Sequence, residues 1–574
     1  MNFTMSGTDQ LLQQAIALHQ SNQLAQAETL YRQVLTFRPD MAEISINCAL
    51  AQLGQGKRED AVEMLRRAIR AKPDIAKAHY HLGGALSGLG RFGEAVIAYR
   101  RAVDLQPDHA EAHNNLGNAL LCDNEPEAAT EAYERAIALK PDFARAFNNL
   151  GFALMQRGKP VDGEKQMRRA VALAPGYAEA HNNLGRALHE QRKHDEANKA
   201  FRTAIQLAPG YAEAYANLSS SLYDAGDPET AESVAVQAVR LDPNAPAAHN
   251  ALGNAIRHQG RVEEAEKHYR EALRIAPHYV EGYKHLAMCL QEQGSLEEAF
   301  ALFDRHAEMA LAGRERAARH SPVDPAHKER HDHERDAWLA ANPATGQPGG
   351  RVEGPAVNPA NHNAAISEAW RTSDPQIAVV DSLLTPAALE SLRQFCLRTT
   401  AWQESFERGY LGAVPESGFT PPIIAQIAEE MREVFPEIIG DHPLMYFWGF
   451  KYDSDLHGIR VHADFAAVNV NFWITPDDAN LDPDHGGLVI WDVAAPLEWT
   501  FERYNAADAE IRALIKRKVG KTTTVPYRCN RAAIFDSDLF HETDEIRFRP
   551  GYENRRINIT LLFGRREDQR DISE

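Results

Sequence analysis

Ala112-His113-Asn114-Asn115-Leu116-Gly117 is the stretch that opens this chain to reading. Asn115 stands before a leucine, and so do Asn149, Asn183 and Asn217, each 34 residues after the one before. Prolines at 39, 73, 107, 141, 175, 209, 243 and 277 keep the same step of 34 without a slip. A fixed period of this length marks one supersecondary unit used repeatedly. Gly56, Gly90, Gly158, Gly226, Gly260 and Gly294 keep the register at the turn between two helices, with Asn22 and Asn124 there in two repeats and Arg192 in a third. Small residues recur where helices must approach closely: Ala27, Ala61, Ala95, Ala129, Gly163, Ala197, Ala231, Ala265 and Ala299. A lone helix pair cannot bury its apolar face, so neighbours stack into an all-α solenoid with a concave surface.

The pattern, over residues 8–319, resembles the tetratricopeptide repeat: about eight repeats, closed by a longer helix from Leu296 to Arg319 that caps the last apolar face with charge. The Asn column is similar to the asparagine ladder in the repeat domain of O-linked N-acetylglucosamine transferases. That likeness implies that Asn115, Asn149, Asn183 and Asn217 grip the backbone of an extended protein or peptide substrate in the repeat groove, since an amide both donates and accepts. His81, Ala251 and His285 break the column and Asn47 restores it. A consensus preference for Asn in repeat helices would leave the same letters.

At 574 residues the chain holds at least two cores. A net charge of −19 argues against a phosphate-binding surface and hence against nucleic acid. The five cysteines are scattered and form no C-x-x-C pair, which fits free thiols in a reducing compartment. With no signal-like start and no apolar run of about 18 residues, the expectation is a soluble, cytoplasmic protein without a membrane partner.

Residues 320–375, rich in Pro and Gly, read as a linker. Within it, His327-Lys328-Glu329-Arg330-His331-Asp332-His333-Glu334 reads as a solvated charge run, with a metal site as the less favoured alternative and a short docking helix from Asp332 to Leu339. A second core follows, with helical stretches at Pro386–Arg398 and Pro421–Val434 and strands from Leu444 onward. There His462-Ala463-Asp464 puts an imidazole and a carboxylate two residues apart, on one face of an extended strand. His541 could close the set, giving the two-histidine, one-carboxylate arrangement of non-haem Fe(II) oxygenases. The triplet alone is cheap, as His327-Lys328-Glu329 and His194-Asp195-Glu196 show. Its context is strand-rich: Val468–Ile474, Gly486–Trp491, and Arg555–Phe563, whose alternation sets Arg556, Asn558 and Thr560 on one face and Ile557, Ile559, Leu561 and Phe563 on the other.

From the entry Ile377–Pro386 through the late arginines, residues 376–566 resemble the 2-oxoglutarate/Fe(II)-dependent dioxygenase superfamily. The resemblance implies an α+β double-stranded β-helix, or jelly roll, with Leu497–Lys518 inserted at the barrel mouth. It implies Fe(II) on His462, Asp464 and His541, with 2-oxoglutarate and O₂ as co-substrates and Arg556, or its neighbour Arg555, pairing with the far carboxylate. Tyr452, Asn558 and Asn471 are further candidates for holding the co-substrate. Asp464 favours hydroxylation, because halogenating members lack that carboxylate. The expected function is a hydroxylase whose repeats recruit a protein or peptide substrate. The alternatives are a repeat scaffold with a non-catalytic or sensing barrel, or a small-molecule oxygenase whose repeats only localise it.

Overall fold

The computed structural model describes residues 7–317, 325–343, 347–362, 364–406, 409–456, 459–497, 499, 501–518 and 520–566. They form two compact units, one of residues 7–243 with 316–317, the other of residues 244–315 with 325–566.

In the first unit, helices of 12–14 residues alternate from Gly7–Gln20 to Pro228–Leu241. The turn column behaves as its letters require. Gly56, Gly90, Gly158 and Gly226 have φ between 69° and 84°, and Asn22, Asn124 and Arg192 adopt the same left-handed region at 60°, 64° and 58°. The small-residue column is fully buried wherever it is alanine, from Ala27 to Ala231. A further column ties neighbouring repeats by charge. Glu28 accepts from Arg32, Gln52, Gln55 and Lys57, and four repeats on Glu164 accepts from Arg168, Gln191 and Lys193. Burial alone would lift the Glu28 carboxyl, but these donors hold it at about 2.

The second unit begins with the helices Pro246–His258, Val262–Ile275, Val280–Glu292 and Leu296–Ala317. In the last of these the apolar face is not left to a charged cap. Phe303 is buried, and Phe300 meets Phe447 with ring centroids 5.1 Å apart. Arg565 reaches back to Glu292 at 2.7 Å, and Thr420 hydrogen-bonds Asp304. The expected end of that helix, at Arg319, lies outside the described residues.

The stretch 320–375 is not a bare linker where it is described. A 17-residue helix, Pro325–Ala341, extends well beyond the expected Asp332–Leu339. Between it and the short helices Pro359–Asn361 and Ala364–Thr372 the described residues form no helix or strand, yet amides there find partners: Val352 N–H donates to Gln426, and Ala356 and Val357 both donate to Glu430. Side-chain acceptors order a Pro- and Gly-rich segment as well as a strand would, because backbone donors need partners of any kind.

The strands are β1 (Ile377–Val380), β2 (Glu404–Phe406), β3 (Tyr410–Ala413), β4 (Leu444–Tyr452), β5 (Asp455–Leu456), β6 (Ala466–Trp473), β7 (Leu488–Ala494), β8 (Thr522–Val525), β9 (Ala532–Asp536), β10 (Leu539–Thr543), β11 (Ile546–Arg547) and β12 (Ile557–Arg565). A seven-stranded antiparallel sheet has the order β1-β9-β6-β12-β4-β3-β2, a three-stranded one β10-β7-β8, and β5 pairs with β11. One core joins the two larger sheets: Tyr452, Trp473 and Phe535 from the first, Leu488, Ile490, Val525 and Leu539 from the second. The expected double-stranded β-helix is thus met at the coarser level of two antiparallel sheets around one core. The outer face of β4 is covered by the helix Pro386–Arg398, whose Cys396 O accepts from Lys451, and by aromatic contacts of Phe300 and Phe419 on Phe447. The insertion between β7 and β8 carries helices Phe501–Ala506 and Asp508–Lys518, and Ile511, Leu514 and Ile515 of the second pack with Val461, Ala463 and Phe540.

Candidate metal centre and co-substrate pocket

His462 and Asp464 do not lie within a strand; they occupy the approach to β6. What positions them is pairing with the turn and strand that carry His541. His462 N–H donates to His541 O at 3.0 Å, His541 N–H returns the bond at 2.8 Å, and Asp464 N–H donates to Ser537 O at 3.1 Å. The two imidazoles stand with centroids 4.4 Å apart. His462 Nε2 is 4.0 Å from Asp464 Oδ1, and His541 Nε2 is 3.5 Å from Asp464 Oδ2. One ligand atom from each of the three lies within 4.8 Å of the others.

Each ring is turned the way a metal ligand must be. His462 Nδ1 meets Arg460 O at 2.8 Å and His541 Nδ1 meets Leu539 O at 3.0 Å. A carbonyl only accepts, so both protons sit on Nδ1 and both Nε2 lone pairs face the carboxylate. Burial pushes His462 down to about 4, helped by His541, so the ring is neutral at pH 7. Burial acts to raise Asp464, yet His541 first, and then His462 and Asn469, hold the carboxyl below its ordinary value. Asn469 Nδ2 donates to Asp464 Oδ2 at 2.5 Å. Two imidazoles and one carboxylate oriented in this way suit Fe(II) or another first-row divalent ion.

Beyond the triplet, alternate residues of β6 (Asn469, Asn471, Trp473) face the interior, and the pairing sets them opposite Leu562, Thr560 and Asn558 of β12. Asn471 donates to Thr560 at 3.0 Å. Arg556, just before β12, is wholly buried. Its guanidinium donates to Gly486 O at 2.7 Å and Asn558 Oδ1 at 3.2 Å, and lies 4.7 Å from the centre of the Tyr452 ring. All these partners are neutral, and burial pushes Arg556 below its usual value. Gly487 lets the start of β7 lie tight against the end of β8: a Cβ there would sit 1.8 Å from Val525 O. Around Arg556 the Tyr452 hydroxyl, the Trp473 Nε1 and the Asn471 Oδ1 are buried without partners. A buried cation with two unused donors beside it fits a bound carboxylate.

Arg555 faces the other way, pairing with Glu334 at 2.8 Å and Asp453 at 2.9 Å. The Thr475 hydroxyl donates to Arg555 O and accepts from Ile557 N–H, fixing the backbone on both sides of Arg556. Sequence reasoning missed Asn469, Trp473 and Thr475, although the first two share the alternation of a strand it had recognised. The His-rich run is less solvated than expected: His327 and His331 are buried, with His327 at 3.2 Å from Asp453 and 3.3 Å from Ser405. Their cover comes from β2, β4 and Tyr552, which local composition does not reveal.

In the solenoid the four ladder amides meet their neighbours. Asn115 donates to Tyr80, Asn149 to Asn114 and Asn118, Asn183 to Asn148, and Asn217 to Asn182, at 2.9 to 3.1 Å. Asn149 and Asn183 also line a cavity of about 550 Å³ with Arg145, Phe152, Tyr177 and Glu179.

No helix among the described residues is long and apolar enough to cross a membrane. None of the curated proteins compared with this chain matches it. Among solved structures, a chain of the APC/C hetero-tetramer Cut9–Hcn1 is 18% identical with a TM-score of 0.38, covering 50% of this chain. The present chain spans only 57% of the length of that one. The pilF protein of Pseudomonas aeruginosa is 24% identical (TM-score 0.33; 37% of this chain, 96% of its own), and MamA of Desulfovibrio magneticus RS-1 is 27% identical (TM-score 0.28; 30% and 96%). Tetratricopeptide repeat families match residues 47–110, 85–142, 114–177, 148–212, 217–280 and 257–315. The N-terminal half of the protein is a tetratricopeptide repeat array.

Proposed function

We propose that the β-rich part of the second unit is an Fe(II)- and 2-oxoglutarate-dependent dioxygenase of double-stranded β-helix type, a hydroxylase whose cytoplasmic protein or peptide substrate is recruited by the repeats. The observation that carries this reading is the convergence of His462, Asp464 and His541 to within 4.8 Å, with both Nδ1 protons tied to backbone carbonyls. When bound, iron would supply O₂-dependent oxidation of a C–H bond, with 2-oxoglutarate as the co-oxidised partner. The chain's own work is to hold and orient. Asn469 keeps the Asp464 carboxylate turned toward the histidines, and Arg556, with the unused donors of Tyr452 and Trp473, would bind the far carboxylate of 2-oxoglutarate. Phe535, 4.9 Å from the His541 ring, walls the triplet from water.

A second reading follows from the family matches, which all fall in the repeats: an interaction scaffold whose barrel is non-catalytic. Solenoids of this kind offer extended concave binding surfaces to partners. Anaerobic Fe(II) titration of the full-length protein, followed by assay of 2-oxoglutarate decarboxylation, separates the two. The enzyme reading expects one iron per chain and turnover, both lost in His462→Ala with the helical signal intact. Full iron retention and unchanged decarboxylation in that variant would refute it, and failure to bind iron in the parent protein would favour the scaffold.

A further inference from the structure

We propose that the inner face of β2, β3 and β4 is a substrate cleft that takes a cationic side chain, lysine or arginine, from the protein or peptide substrate. The proposal rests on the oxygenase reading for its chemistry but not for its binding. Six aromatic residues converge on this face: Phe406, Tyr410, Tyr446, Trp448, Phe450 and Phe465. Phe406 stacks on Tyr410 at 4.5 Å, Tyr410 stands edge-on to Phe450 at 5.4 Å, Trp448 lies 6.2 Å from Phe450, and Tyr446 sits 5.9 Å from both Trp448 and Phe465. All six are only partly buried. Their counterparts on the opposite face of β4, Phe447 and Lys451, are completely so. A wall built only to fill a core would be closed like that opposite face.

Register ties the wall to the candidate metal centre. Tyr446 pairs with Leu562, which pairs with Asn469, the residue that holds Asp464. Two strand spacings are about 10 Å, a gap one long side chain can lie across. Phe465 directly follows Asp464 and touches Tyr446, so wall and carboxylate share an edge.

Charge selects the occupant. Tyr446 donates to Glu416 at 2.7 Å, so that carboxylate lies at the wall's end. Glu404 points to the same face as Phe406: a Cβ on Gly412, its pairing partner, would come within 3.5 Å of both Glu404 and Phe406. Register turns no Lys or Arg of β2, β3 or β4 inward; Lys451 points outward. Arg556 stands beside Tyr452, one ring beyond Tyr410, and over the rest of the wall aromatic faces flanked by carboxylates attract a cation.

The test uses the full-length, metal-free protein and four blocked glycine-rich peptides with a central lysine, arginine, norleucine or glutamate, read by tryptophan fluorescence. Lysine and arginine should bind roughly tenfold more tightly than norleucine, and the double variant E404Q/E416Q, which keeps an acceptor for Tyr446, should bring them level with it. Norleucine binding as well as lysine, or a lysine preference that survives in the double variant, overturns the proposal. Iron titration on the same preparations keeps the two readings apart. Stoichiometric iron without a cation preference sinks the cleft alone, whereas a cation preference without iron leaves the cleft and sinks the oxygenase.

Discussion

Lys451 offers a sharp test of how the sheet is covered. Its ammonium position is fully buried, with Nζ 3.0 Å from Cys396 O and 2.9 Å from the Tyr552 hydroxyl, above the Trp402 and Tyr552 rings. No carboxylate pairs with it among the described residues, and burial pushes its pKa well below 10.5. The unfolded chain therefore holds a proton that the folded chain does not, between the folded pKa and 10.5. Stability must rise with pH through that window, by up to about 1.4 kcal/mol per pH unit, and fall as pH drops. Lys451→Met removes the titration without stranding a polar group. Cys396 O keeps Trp402 Nε1 at 2.8 Å, and the Tyr552 hydroxyl still donates to Leu397 O. The loss of two hydrogen bonds, at roughly 1 kcal/mol each, is offset by no longer burying an amine. All seven tryptophans lie between positions 338 and 499, so urea unfolding followed by their fluorescence reports this unit and not the first. As pH rises toward 10.5 the parent should gain stability over the variant, at up to about 1.4 kcal/mol per pH unit above the folded pKa. Parallel curves for the two proteins would show that Lys451 is protonated in the fold and that the reasoning is wrong.

Three more expectations concern the pocket and the repeats. Arg556→Lys should raise the 2-oxoglutarate concentration needed for turnover and leave iron binding intact, since a lysine cannot make the paired hydrogen bonds of a guanidinium, whereas Arg555→Lys should leave that requirement unchanged; the opposite pattern in a 2-oxoglutarate titration reverses the assignment. Asn183→Ala strips the buried Asn148 Oδ1 of its donor and should cost about 1–3 kcal/mol of solenoid stability by circular dichroism; an unmoved transition with lost peptide binding would assign the ladder to ligand alone. Glu28, held at about 2, stabilises the first repeats above its ordinary 4.5 and loses that contribution as pH falls from there toward 2, so Glu28→Gln should flatten acid unfolding of the helices in that range, and an unaltered acid transition would contradict it.

The repeats were legible because a period of 34 fixes every column at once, including the left-handed turn positions that glycine, asparagine and a single arginine share. The Glu28 and Glu164 clusters were not. Their donors lie 4, 27 and 29 residues from the carboxylate, with Gln52 a further one at 24 from Glu28, and such pairings become visible only when helices from successive repeats are laid side by side. The covering helix Pro325–Ala341 was hidden for a different reason. His327 and His331 sit in a run of charges that would be solvated on an isolated helix, and only Asp453, Ser405 and Tyr552, far along the chain, make their burial affordable.

The candidate centre was legible by residue type and only partly by geometry. Alternation along β12 correctly separated Arg556 and Asn558 from their apolar neighbours, yet it could not choose between Arg555 and Arg556 as inward cation, because both precede the first paired residue of the strand. Two distant facts make that choice: Glu334 and Asp453 claim Arg555, and the Thr475 hydroxyl grips the backbone on either side of Arg556. The same holds for His462 and Asp464, whose two-residue spacing suggested a strand face but which lie outside any strand. Their convergence comes from backbone bonds to Ser537 and His541, more than 70 residues on. Spacing in sequence thus named the candidate residue types, while tertiary hydrogen bonds set the distances between them.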